Sequence, residues 1–539
     1  MKRYRVDILF LAVLFVLSSV KFLLLDQGMA YFEPDPYSQA QLAARLASGE
    51  TTMTGMGYWS LVFGLWLVLW AAVIRITQDA FVAGRLIAVT ASIVITLTLY
   101  LYGRARFSRL VGWGMALVFA LIPLGVFFAR YPLSDMLLAM WGLLFFVFFD
   151  LAIARANWVY ALAAGIFLLL TTATKITGIQ FWFLPLVYTM IPLQHWEPRE
   201  TRAQLRQVRQ HFVVAKTLPI QLIPLVPALV AGALAAMIAL PMLITMARAD
   251  PTGTAWNLLR VLKVFASTSN ISNAPSNLMA YFTSLPYWLS SSITILWLAG
   301  LIIGIRRWGN RTYAALTLQF FMALALLTNV WSPRYFVQIL TMIAITAGWG
   351  MAWLVEWLAA RVSVLRSARA GVVVTIVLIL TAFPAAWHAY ESTFKYKWLD
   401  QIHQVIRRAN LSKESWVLTS YWPDSVADYD RIGLESTLLT TDPTDANLFY
   451  PYWKHQRAGF SFKESPLQVL IRDGGAAVVE DAYSRRILSN AWRREAIDYI
   501  QSNYQPVLTI EDPSPNFPYS PAGNRVWVYI IPAQSGSAK

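Results

Sequence analysis

SLVFGLWLVLWAAVIRI, residues 60–76, is apolar enough to cross a bilayer. Whether it crosses sets the sidedness of everything that follows it. Upstream, Lys2, Arg3 and Arg5 precede an apolar run from Ile8 to Leu25. A signal peptide has a shorter core and a small-residue cleavage site, so this run reads as an uncleaved first span with the N-terminus in the cytoplasm and Lys21 snorkelling outward. Downstream, apolar stretches lie at 80–102, 111–129, 134–153, 157–174, 178–192, 218–246, 288–305, 312–329, 335–355 and 371–388. Four basic clusters separate them: Arg104, Arg106 and Arg109; Arg199 through Lys216; Arg306, Arg307 and Arg311; and Arg361, Arg366 and Arg369. If 60–76 spanned, the first cluster would lie outside and every later loop would reverse. If it lies in the outer interface, with Phe63, Trp66 and Trp70 at headgroup level, all four face the cytoplasm. The second arrangement is the expected one. It gives about eleven spans of a multi-pass protein of the plasma (inner) membrane, with outer loops at 26–79 and 247–287.

The distribution of charge divides the chain in two. Residues 1–388 carry 28 basic and 12 acidic side chains, whereas residues 389–539 carry 16 and 17. The net charge of +15 therefore belongs to the apolar part, where cytoplasmic loops concentrate Lys and Arg. Nucleic-acid binding is excluded as its explanation, because the basic residues are scattered between apolar runs. There is no cysteine, so disulfides, thiolate catalysis and Cys-ligated zinc are excluded too.

Residues 389–539 change character. Strands are expected at Ser415–Ser420, Ala476–Glu480 and Arg525–Ile531, and an amphipathic helix over 485–503. This predicts a small extracytoplasmic α/β domain. It has no Gly-rich phosphate loop and no nucleophile motif; acceptor binding and covering of the membrane site both suit it.

Ionisable residues beside a span are functional suspects by default. The loop 26–79 is densest at Tyr31-Phe32-Glu33-Pro34-Asp35-Pro36-Tyr37, followed by a helix stopped at Gly49. Asp35 before Pro36 is also a good helix cap, and the two roles are compatible. A second outward carboxylate, Asp135, opens a helix after Arg130 and Tyr131, where capping is again the plain alternative. Two outward cations are Lys175 in TTATKITG and Arg334 in WSPRYF; snorkelling to lipid phosphate is their plain alternative. Acids and bases from four segments thus share one membrane level, as a lipid-linked phosphate substrate would require. Two other readings remain: a transporter or flippase of lipid-linked sugars, and a non-catalytic membrane subunit whose outer domain binds a partner. No internal repeat or matched pair of broken helices supports a transporter.

Over residues 1–350 the sequence resembles the C-type-fold membrane glycosyltransferases that use polyprenyl-phosphate sugars, the protein O-mannosyltransferase and lipid A aminoarabinose transferase group. Asp35-Pro36-Tyr37 through Gly49 is similar to the family's acidic first-loop motif. Tyr131 to Asp135 is similar to its second acidic element, Thr174-Lys175 with Gly178 to its "LTKG" turn, and Pro333-Arg334-Tyr335 to its "PRY". The chain departs from the family where Glu33-x-Asp35 replaces an Asp-Glu pair and Gly55-Met56-Gly57-Tyr58-Trp59 replaces a Pro-Pro-Leu element. The Asp-Pro-Tyr also resembles the metal-using oligosaccharyltransferases, with Trp422-Pro423-Asp424 a faint echo of their Trp-Trp-Asp.

The resemblance implies inverting transfer from a polyprenyl-phosphate sugar to a hydroxyl on protein, lipid or glycan. It implies Asp35 as general base and Asp135 holding the sugar or orienting the acceptor. Lys175 and Arg334 would stabilise the leaving phosphate, with Glu33, Tyr37, Arg130 and Tyr335 completing the substrate site. No cofactor is required; a divalent metal on Glu33 and Asp35 is compatible with the residues but not favoured.

Overall fold

The structure is a computed structural model. It describes residues 12–25, 34–190, 220–268, 274–328, 333–362, 367–393, 398–409, 416–419, 438–440, 471, 474–480, 498–512 and 524–532. The chain divides into two compact units: Met1–Asp26 with Ala40–Tyr390, and Gln27–Gln39 with Glu391–Lys539.

The first unit is helical. Its elements are α1 (Ala12–Phe22), α2 (Pro34–Ser48, whose first residues belong to the second unit), α3 (Tyr58–Thr77), α4 (Ala80–Arg106), α5 (Arg109–Leu121), α6 (Pro123–Ala129), α7 (Ser134–Arg155), α8 (Trp158–Thr174) and α9 (Phe183–Met190). There follow α10 (Val226–Ala249), α11 (Pro251–Thr268), α12 (Ala274–Leu289), α13 (Ser291–Trp308), α14 (Tyr313–Thr328), α15 (Pro333–Phe336), α16 (Leu340–Arg361) and α17 (Ser367–Ser392). Among the described residues, seven helices are long and apolar enough to cross a membrane, and the pair α5–α6, bent by 64° at Pro123, makes an eighth if it is one span. Shorter apolar helices cover the other expected spans: Ala12–Phe22, Trp158–Thr174, Ile176–Tyr188 and Tyr313–Leu327. The protein is therefore a multi-pass helical membrane protein.

Contacts define two ends of the bundle. At one end the start of α4 meets the turn before α7, where Gly84 faces Pro132 and Trp70. The start of α7 meets the end of α8 through Asp135 and Lys175. The other end gathers basic residues. Arg106, closing α4, is paired with Asp150 of α7 at 2.7 Å. Arg307, closing α13, donates from Nη2 to Glu356 of α16 at 2.9 Å. Phe107 joins these pairs by edge contacts to Trp308 and Trp349. Close approach of α13 to α16 depends on glycine: a Cβ on Gly300 would collide with the Thr346 carbonyl, and one on Gly350 with that of Leu296.

The stretch 60–76 falls in α3. Trp59–Thr77 meets the length and hydropathy of a span, so length alone does not separate a crossing from the expected interfacial position. Its neighbours are at one level. Gly64 approaches the Ala173 carbonyl in the last turn of α8, Trp70 packs on Gly84, and the Trp70 indole donates to the Ala80 carbonyl at 2.5 Å. Asp79 then caps α4, accepting from the Phe81 and Val82 amides at 2.8 and 2.9 Å.

In the second unit, β1 (Trp416–Thr419), β2 (Leu438–Thr440), β3 (Gly475–Glu480), β4 (Leu508–Asp512) and β5 (Asn524–Ile531) form one sheet in the order β2-β1-β3-β5-β4. β1 runs parallel to β2 and β3, while β5 runs antiparallel to β3 and β4. The three expected strands are β1, β3 and β5. β2 and β4 were not expected, since three to five residues give too short an apolar signal. A strongly amphipathic helix, α18 (Trp398–Arg408), precedes the sheet. Most of the helix expected over 485–503, and Trp422-Pro423-Asp424, lie outside the described residues.

Candidate active site

Asp135 stands in the first turn of α7 and is fully buried. It is not the N-cap of that helix: Leu133, two residues earlier, holds that position and makes no side-chain capping bond. Its Oδ1 accepts a hydrogen bond from Lys175 Nζ at 2.7 Å, and Lys175 is itself only 5% exposed. Both charges suit their helices, a carboxylate at the N-terminus of α7 and an ammonium just past the C-terminus of α8. The connection between the helices is short and capped, with Asn157 Oδ1 accepting from the Val159 amide at 2.8 Å. The hairpin therefore brings the two side chains back to one end. Asp135 Oδ2, Ser134 Oγ and Thr174 Oγ1 are buried atoms with no protein hydrogen-bond partner among the described residues.

After Lys175 the chain tightens into a 3-10 turn, Ile176–Trp182. Gly178 donates to the Lys175 carbonyl at 2.8 Å and lies so close to α8 that a Cβ would come within 2.5 Å of the Thr171 carbonyl. Only glycine fits there, which gives Gly178 a physical reason in the TTATKITG stretch.

The third component comes from far along the chain. Tyr335, opening the helix that becomes α16, has its ring centroid 5.2 Å from Lys175 Nζ and 5.0 Å from the Arg334 guanidinium. Arg334 Nη2 also donates to the Tyr335 hydroxyl at 3.2 Å. A tyrosine ring within reach of two cations is a favourable electrostatic partner for both. Gln338, one turn on, holds this segment in register: its Nε2 reaches Thr177 Oγ1 at 3.5 Å, and its Oε1 accepts from Gln180. Gln338, Gln180 and Thr177 were missed in the sequence. Their signal was three uncharged polar residues in otherwise apolar stretches.

The structure thus brings together Asp135, Lys175, Arg334 and Tyr335. It places Arg130 elsewhere: this residue is 1% exposed and donates to the carbonyls of Lys21, Leu23 and Leu24 just at and beyond the end of α1. Lys21 does not snorkel. It is buried and donates to Ser92 Oγ at 2.8 Å, because α4 offers a hydroxyl at its level and Phe119 a ring face at 5.9 Å. Asp35 and Tyr37 open α2, with their side chains outside the description, and Glu33 lies outside the described residues. Among the described residues no three His, Asp or Glu side chains converge as a metal set. The expected outer loop 247–287 is largely helical, as α11 and α12.

No protein-family profile matches the chain, and no curated protein matches it by sequence. Solved structures do. ArnT from Cupriavidus metallidurans bound to undecaprenyl phosphate aligns over 98% of both chains with a TM-score of 0.54 at 12% identity. The archaeal oligosaccharyltransferase AglB from Archaeoglobus fulgidus, in complex with an inhibitory peptide and a dolichol-phosphate, aligns over 93% of this chain and 73% of its own, with a TM-score of 0.54 at 11% identity.

A buried ion pair is tested by removing its halves separately and together. Asp135→Asn or Lys175→Met alone leaves one buried charge and should cost about 3–5 kcal/mol, whereas the double variant should regain a large part of that. Thermal unfolding of the detergent-purified chain measures it; strictly additive losses would show that the two charges do not interact.

By its architecture along nearly the whole length, this chain has the C-type glycosyltransferase fold.

Proposed function

We propose that this chain is an integral membrane glycosyltransferase that moves a sugar from a polyprenyl-phosphate donor to a hydroxyl acceptor. One observation carries the reading: Asp135, Lys175, Tyr335 and Arg334, from three separate segments, converge at one end of a bundle with this fold. Two cations on one ring suit a phosphate. Lysine has three N–H donors and, among the described residues, Lys175 uses one on Asp135, so others can serve a phosphate oxygen. Arg334 contributes a planar fork for the same group.

In the proposed reaction the acceptor oxygen attacks the anomeric carbon from the face opposite the phosphate. The new C–O bond forms as the bond to the phosphate oxygen breaks, and the bonding pair leaves on polyprenyl phosphate. The acceptor's proton passes to Asp35, the proposed general base. The leaving group is a stable anion, so the step needs no general acid. Glu33, two residues away, would raise the proton affinity of Asp35 by like charge. Asp135 is fixed by Lys175, and its Oδ2, without a partner among the described residues, would accept from a sugar or acceptor hydroxyl. Protein, lipid and glycan hydroxyls all suit the acceptor role.

The test uses proteoliposomes containing the full chain, undecaprenyl-phosphate sugars and an envelope extract as acceptor source. Undecaprenyl phosphate should be released. Asp35→Asn should lower the rate by about 10²–10⁴-fold while leaving donor binding intact. Arg334→Gln should weaken undecaprenyl phosphate binding about tenfold or more. Turnover at the wild-type rate in Asp35→Asn would sink the assignment of the base.

The proposed orientation places the N-terminus and the Arg106–Asp150 end in the cytoplasm, and the site and the sheet unit outside, in the plasma (inner) membrane. The natural absence of cysteine makes the check direct. A cysteine at Asn503 or Gln78 should react with an impermeant maleimide in intact cells, and one at Arg155 only after lysis. The reverse pattern would contradict the orientation.

A further inference from the structure

Two buried arginines converge where α1 ends. Arg130 Nη1 donates to the carbonyls of Lys21 at 2.7 Å and Leu23 at 2.6 Å, and its Nη2 to Leu24 at 2.9 Å. Arg85, 2% exposed, donates to the Leu25 carbonyl. The last carbonyls of a helix have no partners within it, and a cation there is doubly favoured, by hydrogen bonding and by the helix dipole. Leu24 adopts a left-handed backbone with φ of 54°, which a leucine rarely takes. The carbonyl bonds on Leu23, Leu24 and Leu25 hold it there.

The same guanidinium lies 4.7 Å over the ring of Tyr390, whose hydroxyl donates to the Leu23 carbonyl at 3.4 Å. Tyr390 is the last residue of the helical unit before the chain passes into the sheet unit; Asp26 is the last before the other passage. Arg130 therefore sits between the two points where the chain leaves the helical unit. One of them leads, nine residues on from Asp26, to Asp35.

We propose that Arg130, with Tyr390 as its platform, is a positioning residue. It clamps both exits of the chain and so fixes the root of the segment that carries Asp35. This role replaces the substrate contact expected from sequence. It rests on the proposed glycosyl transfer only for its kinetic consequence, since the clamp itself can be read without turnover.

The experiment compares the wild-type full chain with Arg130→Gln and Tyr390→Leu by hydrogen exchange and by binding of undecaprenyl phosphate. In both variants, exchange should speed up about tenfold or more in peptides covering 20–25 and 386–393 together, with the start of α7 and the end of α8 unchanged. Undecaprenyl phosphate affinity should stay within about twofold, and turnover should fall about tenfold with the donor KM unchanged. Arg130→Lys, which keeps the charge but loses the fork, should give an intermediate rise and serves if Arg130→Gln does not fold. Exchange that rises at one exit only, or at neither, would overturn the clamp. A tenfold loss of undecaprenyl phosphate affinity with exchange unchanged would instead return Arg130 to the substrate site. If the wild-type chain shows no turnover, the proposed reaction fails, and the exchange result still decides the clamp.

Discussion

A carboxylate and an ammonium sealed in an apolar bundle must find each other, and the Asp135–Lys175 pair is where this structure meets that constraint. Each charge alone would be costly to bury, so the pair fixes the start of α7 against the end of α8 to within 2.7 Å. The rest of the site hangs on that point. Tyr335 lies over Lys175, Arg334 over Tyr335, and Gln338 ties the segment to the 3-10 turn that follows Lys175. Without Asp135, the ammonium that Tyr335 faces would lose its hydrogen-bonded anchor, while the backbone bond at Gly178 and the Gln338 contacts would still hold the turn.

The same rule runs through the other buried charges. Arg130 and Arg85 are satisfied by backbone carbonyls at the end of α1, Lys21 by a serine, and Asp150 by Arg106 at 2.7 Å and by Tyr102, which donates to it at 3.0 Å. The two ends of the helical unit therefore differ in how their polar groups are satisfied. One end is a lock of Arg, Asp and Glu pairs on helix termini. The other holds polar atoms without hydrogen-bond partners among the described residues, at Asp135 Oδ2, Ser134 Oγ and Thr174 Oγ1. Buried polar atoms of that kind are where a substrate hydroxyl or a water finds its bonds.

Much of this was legible in the chain. Hydropathy placed helices on every expected span, because a membrane helix satisfies its backbone internally and must be apolar along its length. Scarcity of charge picked out Asp135, Lys175 and Arg334. Their pairing was not legible: Asp135 and Lys175 are 40 residues apart, and Arg334 lies far beyond both, so only the packed bundle brings them together. Direction was not legible either. A sequence reports that Arg130 and Lys21 are cations, but not that one turns toward carbonyls and the other toward Ser92. Gln338 was passed over because an uncharged amide leaves a weak trace in hydropathy. The stretch 60–76 shows the converse limit, since α3 has the composition of a span and only its neighbours, at the end of α8 and the start of α4, speak to its level.

The central claim is that this convergence of side chains receives a lipid-linked phosphate. It is tested most directly by an experimental structure of the full chain with undecaprenyl phosphate in a lipid nanodisc. The account predicts phosphate oxygens within hydrogen-bond reach of Lys175 Nζ and the Arg334 guanidinium, with the Asp135–Lys175 bond intact. Phosphate density seated elsewhere, with Arg334 and Lys175 untouched, would contradict it.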